Sequence, residues 1–169
     1  MELELRQAGL DELETIMDWR MRVLKEVFAP IDEAELPMLR AENEAYYKKH
    51  LPEGSHLCYF VEDSETKTIA GCAAICLWQE MPSPDNPSGQ CAYFMNVYID
   101  PQFRHNRLGR WLVESLLQEC KKRKITKIYL ETTDMARRLY ETCGFQDLRN
   151  YLIYDPAVRS IQKKSWKVR

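Results

Sequence analysis

The sequence predicts an α/β domain in which a mixed sheet carries packed helices. Three observations point there. Apolar runs rich in strand formers occupy residues 57–61, 68–78 and 91–99. Amphipathic helical patterns precede and follow them, and a strand, helix, strand order begins at residue 91. The 169 residues, 45% hydrophobic and 30% charged, suit one compact domain with a real core, so a single domain over 1–169 is expected.

Taken in order, Leu10, Leu13, Ile16, Met17, Met21, Leu24 and Phe28 recur at helical spacing, with Asp11 and Glu12 suited to a first turn. Pro30 ends that helix. A second helix is expected over 35–49, where Leu39, Glu42, Asn43, Tyr46 and Tyr47 form a mixed face before Pro52, Glu53 and Gly54 break it. Runs 57–61 and 68–78 flank a polar stretch and read as a hairpin. Residues 81–89 hold Pro82, Pro84 and Pro87 and form a loop into run 91–99, which is apolar on both alternating faces. Leu108, Trp111, Leu112, Leu116 and Leu117 then give a helix to about residue 123, followed by a strand at 127–132, a helix at 135–142 and a last strand at 151–154.

Several functions are excluded or disfavoured. A net charge of −2 and a pI near 6.0 supply no global field for a nucleic-acid backbone, and the basic tail from Lys163 to Arg169 would bind only weakly. The N-terminus is charged and has no long apolar stretch, so neither a signal peptide nor a membrane span is expected, and the protein is read as cytoplasmic. The six cysteines lie mostly in apolar runs without a CxxC pair, which suits reduced buried thiols, and no metal is expected. His50, His56 and His105 have no partnered spacing.

The segment that carries chemistry runs from Asn96 to Leu112. A buried strand passes through a short polar loop into an amphipathic helix, so unpaired N–H groups and the helix dipole form an anion cradle. Arg104, Arg107 and Arg110 add charge suited to a pyrophosphate. Residues 104–109 resemble the coenzyme A signature of the GNAT acetyltransferases, Q/R-x-x-G-x-G/A. Downstream, Ala136, Leu139, Tyr140, Gly144 and Phe145 match that family's second pattern, A-x-x-L-Y-x-x-x-G-F. Two departures stand out: Arg107 replaces the first signature glycine, which costs about 1 to 2 kcal/mol if the backbone there is left-handed, and Thr133 replaces a common asparagine while still able to cap a helix.

The resemblance implies a GNAT-type sheet of six or seven strands, mostly antiparallel, with a splayed parallel central pair flanked by helices. It implies acetyl-CoA as co-substrate, held by Val97, Tyr98, Ile99, Arg104, His105, Asn106, Arg107, Leu108, Gly109, Arg110, Thr133 and Arg137. The Val97 N–H would polarise the thioester carbonyl, Tyr140 would protonate the departing thiolate, and Glu131 is the candidate base, acting through water. The reaction expected is acetyl transfer to a primary amine of a small molecule, with a protein amine or a non-catalytic acyl-CoA sensor as rivals. Asp32, Glu33, Glu35, Glu80 and Asp85 fall in segments which that family places around the acceptor, which favours a small cationic amine. No nucleic acid or membrane partner is expected; a homodimer is compatible with the sequence.

Overall fold

The computed structural model describes residues 2–104, 107–149, 151, 152 and 154. The elements run β1 (Leu3–Ala8), α1 (Leu13–Val27), α2 (Leu36–Glu53), β2 (His56–Asp63), β3 (Ile69–Gln79), β4 (Gln90–Ile99), α3 (Leu108–Lys122), β5 (Lys127–Leu130) and α4 (Asp134–Thr142). The strands form one sheet in the order β1-β2-β3-β4-β5, antiparallel except for the parallel pair β4 and β5. Among the described residues there are five strands rather than six or seven. Tyr151, Leu152 and Tyr154 are not in a strand, and Ile153 and the basic tail lie outside the described residues.

β1 was not expected. Leu3 and Leu5 alternate with Glu2, Glu4 and Arg6, the pattern of a half-buried edge strand, and the segment pairs with β2 from Leu3 opposite Asp63 to Ala8 opposite Cys58. The first helix begins as a 3-10 turn over Leu10–Glu12 before becoming α1. α2 runs through Pro52 into its last turn and stops at Gly54, whose φ of 68° is the left-handed cap that glycine adopts freely. The remaining boundaries lie close to those expected.

The sheet is covered on both faces, which is why its inner strands read as continuous apolar runs. On β2, Leu57, Tyr59 and Val61 face α3 and α4, while Cys58 and Phe60 face α1 and α2. Leu112, Val113 and Leu116 of α3 are fully buried, each worth about 1.5 to 3 kcal/mol of transfer free energy. On the other face Trp19 packs edge-on to Tyr98 at 6.1 Å and near Phe60 at 6.4 Å. All six cysteines are free thiols. Among the described residues, no helix is long and apolar enough to cross a membrane, and no cluster of His, Cys, Asp and Glu is arranged for a metal.

The proline-rich loop is anchored at the start of β5. Buried Asn86 donates to Glu80, and the Lys127 ammonium pairs with the same carboxylate at 2.6 Å and with Asp85 at 3.9 Å. At the other end of the sheet Gly71 permits a close approach of β3 to β4. A β-carbon there would lie 2.5 Å from the Tyr98 carbonyl oxygen and 2.7 Å from Ile99 Cδ1. Gly71→Ala is therefore expected to lower stability by about 1 to 3 kcal/mol in urea denaturation. A wild-type midpoint would show that the strands shift apart at no cost.

Candidate active site

The pairing of β4 with β5 covers only four residues, from Cys91 opposite Lys127 to Phe94 opposite Leu130. Beyond Phe94 the strands part. The register between β3 and β4 slips from Ala74 opposite Met95 to Cys72 opposite Tyr98, so β4 takes three steps where β3 takes two. Asn96 sits in this bulge with φ 55°, a left-handed conformation that asparagine tolerates better than most residues. Residues 95–99 consequently have no strand partner on the β5 side. A cleft of about 430 Å³ opens there, lined by Asn96, Val97, Tyr93, Glu131, Thr133 and Tyr140, with α1 side chains closing one wall.

Tyr140 projects from α4 into this cleft and is 8% exposed, packed edge-on against Phe145 at 5.9 Å. Burial pushes its hydroxyl up to about 12, so it is held as the neutral phenol. Glu131 follows β5 and is exposed at the cleft wall. The Tyr93 hydroxyl is also pushed up to about 12, by burial first and then by the neighbouring Glu131 carboxylate. Thr133 caps α4, its hydroxyl accepting from the Ala136 N–H at 3.3 Å, as its side chain allows.

The loop after β4 departs from a simple phosphate cradle. Arg104 donates from Nε to the Ile99 carbonyl at 2.9 Å and from Nη2 to Glu26 at 2.6 Å, while its guanidinium lies 5.3 Å from the Tyr98 ring centroid. Tyr98 donates to the other oxygen of Glu26 at 2.8 Å. Arg104 and Tyr98 thus tie the loop to α1, and the hydrogen bonds they donate, that of Arg104 first, hold the Glu26 carboxyl below the usual carboxylate range. Neither Tyr98 nor Ile99 lines the cleft, and the Ile99 carbonyl already accepts from Arg104. Arg107 stands immediately before α3 with φ 58° and no side-chain cap, so the strained conformation expected at the missing glycine is present. His105 and Asn106 lie outside the described residues.

Leu108 is a core side chain at 7% exposure. A β-carbon at Gly109 would meet Leu139 Cδ2 at 3.4 Å, an ordinary van der Waals contact, so α3 and α4 pack here without requiring glycine. Arg110 pairs with Glu114 at 2.7 Å and Arg137 with Asp147 at 2.6 Å, both at the surface. None of Asp32, Glu33, Glu35, Glu80 or Asp85 lines the cleft, and Glu80 and Asp85 are engaged by Lys127 at the opposite end of the β4–β5 pair. The carboxylates that suggested a cationic acceptor do not surround it.

Sequence reasoning missed a second cavity of about 250 Å³ that shares Arg20, Met95 and Asn96 with the cleft. Its wall includes Tyr46, Tyr47 and His56. His56 Nδ1 lies 3.2 Å from the Tyr46 hydroxyl and 3.1 Å from Cys76 Sγ, and its Nε2 is buried with no partner among the described residues. Burial, then the charge of Arg20, lowers this histidine to about 4. No local spacing announced the cluster, because its members come from α1, α2, β2, β3 and β4.

A mixed sheet whose parallel pair opens over a cleft, with a helix starting behind the loop that leaves it, is the N-acetyltransferase architecture. A predicted acetyltransferase from Clostridium acetobutylicum, solved with acetyl-CoA, superposes with a TM-score of 0.78 at 25% identity, covering 90% of this chain and 96% of that one. A GCN5-related N-acetyltransferase from Ralstonia eutropha superposes with a TM-score of 0.76 at 22% identity, covering 90% and 98%. The chain belongs to the Acetyltransferase (GNAT) family, whose pattern matches residues 13–145. Among curated relatives, the ribosomal protein bS18 alanine N-acetyltransferase of Escherichia coli is 36% identical over 66 residues, 36% of this chain. That match spans 45% of the relative's length. Glucosamine 6-phosphate N-acetyltransferase of Arabidopsis thaliana is 24% identical over 92 residues, 54% of this chain and 60% of that protein.

Two outcomes follow from the strained and buried groups. Arg107→Gly is expected to raise stability by up to about 1 kcal/mol, and Arg107→Ala to leave it unchanged because the β-carbon remains; equal melting curves for all three proteins would deny the strain. Because the His56 pKa is lower folded than the ordinary 6.5, its protonation opposes folding. Stability is full above pH 6.5 and falls toward pH 4, by roughly 3 kcal/mol at most. Urea titrations at several pH values should show that slope and its flattening in His56→Gln.

Proposed function

We propose that the chain is an acetyl-CoA-dependent N-acyltransferase acting on a primary amine. The observation that carries this reading is the unpaired edge of β4 beyond Phe94, open to the cleft that Tyr140 enters. Such an edge fits an extended arm bearing amide groups, and the first turn of α3, with no side-chain cap, fits a phosphate group nearby. Backbone at Val97 and Ile99, the N–H groups of Leu108, Gly109 and Arg110, and Thr133 and Arg137 from α4 are the residues that would hold acetyl-CoA. That co-substrate brings an acyl group already activated as a thioester.

The chain's own groups then supply charge and protons. A Val97 N–H free of a strand partner on that side stabilises negative charge developing on the acyl oxygen. Tyr140, kept protonated by burial, gives its proton to the departing sulfur. Glu131, beside Tyr93, takes the amine proton through water and releases it to solvent, and solvent returns one proton to the Tyr140 phenolate, so the one proton lost by nitrogen balances the one gained by sulfur. Arg104 acts at one remove, fixing the loop through Glu26 and Ile99.

A protein amine is a second reading, supported by the match to the alanine N-acetyltransferase of a ribosomal protein. A panel of small amines and peptides with free N-terminal alanine, incubated with acetyl-CoA while thiol release is recorded, separates the two. Silence across the panel with acetyl-CoA binding retained would assign the chain to sensing. Tyr140→Phe, which keeps the ring and its packing, is expected to lower kcat about 10² to 10⁴ fold with the acetyl-CoA KM unchanged. Wild-type turnover, with chemistry rate-limiting, would make Tyr140 a core residue only.

A further inference from the structure

Arg20 of α1 lines both the cleft and the adjoining cavity. Its Nε donates to Asn43 Oδ1 at 2.9 Å and one Nη to Asn96 Oδ1 at 3.1 Å. Both acceptors are neutral amide oxygens. Among the described residues no carboxylate pairs with it, whereas Arg6, Arg22, Arg40, Arg104, Arg110 and Arg137 each meet one. A guanidinium carries five N–H donors, so three are left without a partner among the described residues, at a half-buried site open to the cavity. Its field reaches the buried groups around it, lowering His56 and opposing the upward shifts of Tyr47, Cys58 and Cys72.

The cleft wall has a second charge. Glu131 is its only carboxylate among the described lining residues, and it makes no ion pair with Arg20. One cavity system therefore presents an anion at the end of β5 and an uncompensated cation at the β4 bulge. An amine reaching the thioester on the Glu131 side leaves the rest of the acceptor to face Arg20, Tyr46 and Asn96. The two amides hold the guanidinium plane in place, which is the preorganisation a bidentate anion contact requires.

We propose that Arg20 is the anion-recognising residue of the acceptor site, and that the acceptor is a primary amine bearing a carboxylate or a phosphate. This rests on the transferase reading above. It replaces the cationic acceptor suggested by the acidic loops with a dipolar one, whose amine and anion match the two charges of the cleft.

The test compares matched acceptors: ethanolamine with its phosphate ester, β-alanine with its amide, and an alanine-initiated peptide amide. Thiol release is followed for wild type, Arg20→Gln, Arg20→Lys and the surface control Arg123→Gln, each first shown to be folded by its melting curve. One anionic member should exceed its neutral partner by at least about tenfold in kcat/KM, mainly through KM. The pair with the larger ratio identifies phosphate or carboxylate. Arg20→Gln should bring that ratio near unity while the acetyl-CoA KM holds, Arg20→Lys should restore part of it, and Arg123→Gln should match wild type. An unchanged ratio in Arg20→Gln, or a preference for the neutral members or the peptide amide, overturns the proposal. Should no acceptor be acetylated, the transferase reading fails separately, and NMR titration with inorganic phosphate and with acetate decides the anion site. Binding lost in Arg20→Gln and kept in Arg123→Gln supports it; no binding to wild type refutes it.

Discussion

The structure turns on the four-residue limit of the β4–β5 pairing. Parallel strands normally continue until a loop intervenes, yet here β4 runs five residues past Phe94 while β5 stops at Leu130. The bulge at Asn96 bends β4 away and keeps it paired to β3, so the gap opens on one side only. Helix placement follows from that geometry. α1 closes one wall, α4 carries Tyr140 to the other, and α3 begins where the loop from β4 returns to the sheet.

Opening a sheet in its middle forfeits ladder hydrogen bonds, and the surroundings compensate by fastening the loose strand elsewhere. The Arg104, Glu26 and Tyr98 network joins the end of β4 to α1, and Arg22 adds a bridge to Asp100 at 2.8 Å. The strand edge is thus exposed yet fixed, which is what binding an extended ligand by backbone contacts demands. Gly71 contributes by absence, letting β3 meet β4 closely.

Much of this was legible in the residue pattern. Helical periodicity located α1, α3 and α4, and the two spaced motifs from Arg104 and from Ala136 pointed to the fold because each pairs a glycine or cap with an apolar stripe. β1 escaped notice since two leucines among charges resemble a solvated terminus until β2 is there to pair with them. The conflict at Arg107 could be stated from sequence alone, because a missing glycine has a backbone meaning. The cavity beside the cleft was not legible. Arg20, Asn43, His56, Cys76 and Asn96 are dispersed over 77 positions by number, and their convergence depends on helix crossing and on a bulge that no local propensity encodes. Acidic residues that were close in sequence to the right loops proved to be committed to Lys127 or absent from the cleft wall.

The six free thiols gain a different meaning beside a thioester. Thiols exchange acyl groups with thioesters through the thiolate, so a protein rich in cysteine that handles activated acyl groups risks acylating itself. Here burial raises every one of them, Cys58 to about 12 and Cys120 to about 11, with Cys72, Cys76, Cys91 and Cys143 shifted the same way. Cys76, which contacts His56 and Met95 in the wall of the second cavity, is desolvated along with the rest. The same burial that packs these side chains disfavours the thiolate at each of the six positions, and with it attack on a thioester by the protein's own sulfurs.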